Sequence, residues 1–229
     1  MDERAEKRTE KILNFGESFA NIMANVPETE KLIMLVDIVG FSRGTTREQV
    51  HKIYLFQRYL MAHLVNNAFS FQKKVKISHF VPTGDGCYII AEKCDSRIAL
   101  HFLTTLLDGL KKVRGDNQKP LSLRISALTG SCVPFMDIAH HKNYIGDGMN
   151  EAARILSGGQ HELEALFLRK NPDKTEADAK EFSQNALYLG DSLADAVTAD
   201  GDECGQVFRF DAVTDKHGKM RAVTVVRGE

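Results

Sequence analysis

Asp37 ends an unbroken apolar run, Leu32-Ile33-Met34-Leu35-Val36, and Ile38, Gly40 and Ser42 follow before a helix opens near Thr45-Thr46. The run is continuous and rich in branched residues, so it reads as a buried central strand. A carboxylate at the end of such a strand is costly to bury unless a positive charge meets it. A strand, a tight glycine turn and a helix N-terminus together make a seat for phosphate, with backbone N–H groups directed at the ligand. A metal–triphosphate satisfies both demands. A second carboxylate, Asp85, stands in the turn Pro82-Thr83-Gly84-Asp85-Gly86. If its flanking strands neighbour the first, the two carboxylates lie side by side and repel unless cations separate them. Two Mg²⁺ or Mn²⁺ ions about 3.5–4 Å apart meet that need and serve in-line displacement at phosphorus. One lowers the pKa of an attacking hydroxyl, the other binds the leaving phosphates, and the Ile38 carbonyl is a further ligand candidate. The plainer reading of Asp85 is that it stabilises only its own turn.

The elements that must position these groups follow from periodicity. Residues 2–24 predict a helix with an apolar stripe of Ile12, Leu13, Phe15, Phe19 and Ile22, weakened by Gly16. A strand is expected over 30–38. A long helix follows over 46–67, carrying Val50, Ile53, Tyr54, Phe56, Leu60 and Leu64, with Thr45 or Thr46 as cap and Glu48 in its first turn. Residues 75–81 and 87–91 form a hairpin bent at Asp85-Gly86. A second amphipathic helix spans 95–113, and a strand over 121–129 ends at Gly130. Residues 134–144 read as irregular. A loop from Gly146 leads into a short helix ended by Gly158-Gly159, and a charged helical insert covers 160–182. Strands near 186–190, 206–210 and 221–226 close the chain. The order β-α-β-β-α-β over residues 30–129 is a ferredoxin-like α+β core with an added N-terminal helix and C-terminal strands. Residues 1–25 read as a helical extension and 26–229 as one catalytic domain.

Four blocks of residues together resemble the catalytic domain of class III nucleotidyl cyclases. They are Asp37-Ile38-Val39-Gly40-Phe41-Ser42, Gly84-Asp85-Gly86, Arg124 through Gly130, and Gly146-Asp147-Gly148-Met149-Asn150-Glu151-Ala152-Ala153-Arg154. They stand in the family's order and cover residues 30 to about 160. The resemblance implies that Asp37 and Asp85 hold two metal ions and that Gly40, Phe41 and Ser42 wrap the triphosphate. It implies that Asn150 orients the ribose and Arg154 stabilises charge on the α-phosphate, both from the other subunit of a homodimer. Arg124 would bind the outer phosphates, and Lys219, in a loop that fits more loosely, would do likewise. The spacing i, i+4 puts Asn150 and Arg154 on one helix face independently of the resemblance. Their ordinary readings are a surface amide and a salt-bridged arginine. The implied reaction is attack of the ribose 3′-hydroxyl on the α-phosphorus with release of pyrophosphate.

The base pocket departs from the adenylate pattern. Adenylate cyclases usually carry Lys four positions before the second metal carboxylate, where this chain has Val81. They usually carry Asp or Thr three positions before the glycine matched by Gly146, where this chain has Asn143. Sites built for one hydrogen-bond pattern discriminate strongly, so these swaps argue against plain adenylate specificity. The compact chain and the turn Val81 to Gly86 look like the bacterial Pycsar pyrimidine cyclases of antiphage defence. That likeness implies UTP, then CTP, as substrate and a product that acts on a separate effector protein. Phe41, Tyr54, Phe80, Tyr88 and Ile145 are bulky enough to narrow a pocket, although core packing is the usual role of such side chains. The alternatives are an adenylate cyclase with a divergent pocket, a catalytically dead cyclase-homology module used for dimerisation, and a diguanylate cyclase relative. The last lacks its Gly-Gly-Asp/Glu-Glu-Phe turn here.

Bulk properties bound the answer. The chain has 229 residues, 43% of them hydrophobic, enough for one large core. A formal charge of −1 gives no basis for generic nucleic-acid binding. No apolar run reaches the roughly 18–20 residues of a membrane span, and the charged N-terminus lacks a secretory core. Cys87, Cys94, Cys132 and Cys204 show no CxxC pairing, which fits reduced thiols in the cytoplasm. His140-His141 lacks nearby ligand spacing and reads as a solvated loop.

Overall fold

Leu32, Met34, Val36 and Ile38 face one side of strand β1 (Thr29–Ile38), Ile33 and Leu35 the other, and all six are buried. Side chains alternate across a strand, so a run that is apolar at every position requires cover on both faces. The computed structural model of the chain supplies that cover. It describes residues 26–71, 75–110, 112–113, 121–137, 139–199, 205–214 and 219–227, together with Lys7. The rest of the helix expected over 2–24 lies outside the described residues.

After β1 come a single 3₁₀ turn (Phe41–Arg43), α1 (Thr46–Phe71), β2 (Ile77–Pro82), β3 (Gly86–Glu92) and α2 (Ser96–Leu110). Then follow β4 (Leu123–Met136), β5 (Lys142–Ile145), α3 (Asp147–Lys170), α4 (Glu176–Phe182) and β6 (Ala186–Leu189), and finally α5 (Asp191–Ala199), β7 (Gln206–Thr214) and β8 (Met220–Arg227). The sheet order is β2-β3-β1-β4-β6-β8-β7, with β5 paired to β4. The expected βαββαβ core is therefore present, extended on the β4 side by the closing strands. Phe56 and Leu60 of α1, Leu103 and Leu106 of α2 and Leu193 of α5 fill one face. Met149, Ile155 and Leu163 of α3 fill the other. Thr45 and Glu48 form the expected cap of α1: Glu48 accepts the Thr45 N–H at 2.7 Å and donates its own N–H to the Thr45 hydroxyl at 3.4 Å.

Several expectations need correction. Helix α1 runs to Phe71 rather than 67, and Val50 and Tyr54 of its expected stripe are exposed, at 64% and 58%. Strand β4 does not end at Gly130; it continues to Met136, and the segment expected to be irregular is a hairpin with β5. Helix α3 does not stop at Gly158-Gly159, and residues 160–170 are its continuation rather than a separate insert. A Cβ on Gly159 would lie 2.8 Å from the Tyr188 ring and 2.9 Å from Val223, and one on Gly158 would lie 2.6 Å from Val213. These glycines let the helix press onto the sheet and do not end it. Helix α5 was not anticipated.

Candidate active site

Strand register brings the two acidic residues together. Asp37 is the register partner of Gly86 on β3 and of Arg124 on β4. Asp85 immediately precedes Gly86, and its carbonyl accepts the Ile38 N–H at 2.9 Å. The two carboxylate residues thus occupy adjacent positions on strands about 4.8 Å apart. A Cβ on Gly86 would lie 1.9 Å from the Val36 carbonyl oxygen, so only glycine lets the hairpin reach β1 at this point. Asp37 shares the face of Ile33 and Leu35, beneath α3, and its side chain is 15% exposed.

A cation already meets that carboxylate. Arg124 donates from Nε to Asp37 Oδ2 at 3.0 Å and forms an ion pair with the same oxygen through Nη2. Its remaining arm, Nη1, donates to the Gln160 side-chain oxygen. The resemblance assigns Arg124 to phosphate; the structure puts its guanidinium on Asp37, with the side chain 22% exposed. The donor set at this end, two carboxylates and backbone oxygen, suits a hard divalent cation such as Mg²⁺ or Mn²⁺ better than zinc. Among the described residues no three or more His, Cys, Asp or Glu converge, so such an ion would rest on these two carboxylates and backbone oxygens.

The turn after β1 has the shape expected of a phosphate seat. Gly40 takes φ 64° and ψ 25°, and Phe41–Arg43 make one 3₁₀ turn. Ser42 is exposed, and Phe41 packs its ring against the core beneath α1 and α2. Lys52 of α1 reaches back and donates to the Gly40 carbonyl at 3.3 Å. Sequence reasoning missed Lys52 and Gln160. Lys52 stands in a helix read only for its apolar stripe, and Gln160 stands beyond the glycine pair that reads as a helix end.

The remaining candidates gather elsewhere. The first turn of α3 is pinned by Tyr88, whose hydroxyl donates to the Met149 carbonyl at 3.2 Å. Ser126 donates to the Ala152 carbonyl at 2.7 Å, and Arg221 of β8 pairs with Glu151. Asn150 is exposed there and Arg154 is half-buried. From Asn150 to Gln160 the helix covers about 15 Å at its usual rise, and from Arg154 about 9 Å. Register continues from Arg124 through Ala186 to Arg227. Lys219, exposed just before β8, is therefore about 26 Å along the strand direction from that row. Asn143 stands opposite Phe135, near the far end of β4 from Arg124, and its side-chain oxygen accepts the Tyr144 N–H at 2.8 Å. Of the bulky residues considered for a pocket, Tyr54 and Ile145 are exposed, while Phe80 and Tyr88 pack into the two cores.

Asp37, Ile38, Asp85, Gly40–Ser42 and Arg124 thus meet at one end of the sheet. Asn143 and Lys219 lie away from that end along their strands, while Asn150 and Arg154 stand in the first turns of α3, whose Ala152 carbonyl meets Ser126, two positions along β4 from Arg124. This sheet, with helices on both faces, is the fold of class III adenylate and guanylate cyclase catalytic domains. Among solved structures, the guanylate cyclase domain of RhGC from Catenaria anguillulae, in complex with GTP, aligns with TM-score 0.60 at 15% identity, covering 89% of this chain and 99% of that one. An adenylate/guanylate cyclase/hydrolase from Silicibacter pomeroyi aligns with TM-score 0.56 at 16% identity, covering 89% and 99%. A non-canonical dimeric guanylyl cyclase domain of the RhoGC fusion protein from Blastocladiella emersonii aligns with TM-score 0.56 at 17% identity, covering 88% and 98%. No protein-family profile and no curated protein sequence matches the chain. Among the described residues, no helix is long and apolar enough to cross a membrane.

Proposed function

We propose that the chain cyclises a nucleoside triphosphate to a 3′,5′-cyclic nucleotide and pyrophosphate, as a two-fold homodimer with two shared sites. The observation that carries this reading is the meeting of Asp37, Asp85, the Gly40–Ser42 turn and Arg124 at one end of the sheet. In the dimer a two-fold axis would bring Asn150 and Arg154 of one copy to the Asp37 end of the other. Asp37, Asp85 and the Ile38 carbonyl would hold two divalent ions, Mn²⁺ or Mg²⁺, which when bound acidify the ribose hydroxyl and neutralise phosphate charge. The N–H groups of Gly40–Ser42 bind the triphosphate, and Arg124, with Lys219 from the second protomer, binds its outer phosphates. Asn150 of the second protomer orients the ribose, and Arg154 stabilises the charge that builds on the α-phosphate. The 3′-oxygen bonds to the α-phosphorus as the bond to the bridging oxygen breaks. Positioning and charge neutralisation carry the rate, with no covalent enzyme intermediate.

The base is read as a pyrimidine, uracil before cytosine. Val81 offers no donor to adenine N1, and Asn143 presents an amide that both donates and accepts. The product then serves as a messenger for a separate effector protein in the cytoplasm, in antiphage defence. The presence together of Asp37, Asp85, Asn150 and Arg154 favours an active enzyme over a structural module. Incubation with ATP, GTP, CTP and UTP in the presence of Mn²⁺, with products identified by mass, tests the reaction and its base. Cyclic UMP is the expected main product. Cyclic AMP in its place would overturn the pyrimidine reading, and no cyclic product from any nucleotide would overturn the cyclase reading.

A further inference from the structure

We propose that Gln160 and Glu164 are positioning residues for Arg124, so that α3 beyond its glycine pair forms the back wall of the triphosphate site. The inference rests on the cyclase reading, and in particular on Arg124 meeting the outer phosphates. It also gives a role to a stretch that sequence alone leaves without one.

A guanidinium presents its donors in a fixed planar fork. In Arg124, Nε and Nη2 both address Asp37 Oδ2, and Nη1 addresses the Gln160 carbonyl oxygen. That oxygen cannot trade places with the amide nitrogen. Gln160 Nε2 donates to Glu164 Oε1 at 2.6 Å, and a reversed amide would set NH₂ against the guanidinium and oxygen against the carboxylate. Glu164 is held in turn. The Ser183 hydroxyl has one proton and two acceptors in reach, Glu164 Oε1 at 2.7 Å and the Lys180 carbonyl at 3.0 Å; the shorter contact goes to the carboxylate. The Ser183 carbonyl accepts the Tyr188 hydroxyl at 2.7 Å. Ser183 and Tyr188 are both fully buried.

The chain of bonds therefore has a rigid end and an exposed end. Tyr188 and Ser183 anchor it in the core, Glu164 and Gln160 transmit the placement, and Arg124 presents it where a ligand can arrive. The neutral acceptor at position 160 matters. It aims Nη1 without competing for the positive charge that Asp37 and a phosphate must share. A carboxylate at 160 would compete for it directly.

The test uses the whole chain and two probes that separate phosphate recognition from base recognition. Binding of inorganic tripolyphosphate and of UMP, each with Mn²⁺, is measured by calorimetry for wild type, Gln160→Ala and the near-isosteric Gln160→Glu. Both substitutions are expected to weaken tripolyphosphate by about tenfold, the scale of a hydrogen bond to a charged group, and to leave UMP unchanged. With the nucleotide that wild type cyclises, KM should rise while kcat holds, as for lost uniform binding. In an Arg124→Ala background, Gln160→Ala should cause no further loss, because the two residues act as one unit. Unchanged tripolyphosphate affinity in a folded Gln160→Glu protein would overturn the inference, as would additive losses in the double variant. Either result, beside a wild type that binds and cyclises, leaves the cyclase reading intact. A wild type that neither binds tripolyphosphate nor forms a cyclic product overturns both.

Discussion

Asp37 and Asp85 draw their meaning from what surrounds them. A carboxylate at 15% exposure needs a cation, and Arg124 meets that need in the chain alone. Asp85 has the harder case to make, because an Asp-Gly turn explains its presence without chemistry. Its carbonyl fixes the hairpin to Ile38 through the backbone, so the side chain is not required for that contact. Asp85→Asn keeps the side chain's shape and its capacity for turn hydrogen bonds while removing the charge. Cyclic product should fall by about 10²–10³, the scale set by losing one group that stabilises developing charge, with the thermal midpoint unchanged. Unaltered turnover would return Asp85 to a turn role. Both carboxylates were legible in the sequence because one ends an apolar run and the other follows a glycine in a turn. The partners of Arg124 were not, since Asp37 and Gln160 meet it only through strand register and through a helix that continues past two glycines.

At the level of elements, β1, α1, β2, β3 and α2 were legible because their periodicities are clean and their ends carry turn residues. The later chain misled for a physical reason. Gly130 and Gly158-Gly159 look like breakers, yet close approach between helix and sheet selects them, and that requirement leaves no local signature. The α1–α2 interface carries a further consequence of burial. His63 is 8% exposed, stacked on Tyr59 at 6.4 Å and tilted against Phe102 at 5.9 Å, and desolvation holds its pKa below 6.5. The unfolded chain therefore takes up this proton at a higher pH than the folded one does. The contribution to stability is complete above about pH 6.5 and is lost as the pH falls through the depressed folded value. Urea midpoints at pH 7.5 and 5.0 should fall further for wild type than for His63→Phe, whose ring cannot charge. Equal acid sensitivity in the two proteins would show that His63 is accommodated as an ion.

The whole molecule raises the question of where a complete site forms. Along α3, Asn150 stands about 15 Å and Arg154 about 9 Å from the residue that touches Arg124. In the homodimer proposed above, Asn150 and Arg154 of each copy would serve the site of the other. Asp37→Ala protein lacks the acidic half of both sites in its homodimer, and Arg154→Ala protein lacks the opposite half. Each alone should be inactive. Mixed in equal amounts under exchange, half of the dimers are heterodimers, and each of those holds one intact site and one doubly damaged site. Recovered turnover should approach about a quarter of wild type per protomer, a ceiling that follows from isologous symmetry. Tagging the two variants differently and isolating the heterodimer removes the homodimer background and raises the expected value to about half. An inactive heterodimer of folded subunits would mean that each chain completes its own site.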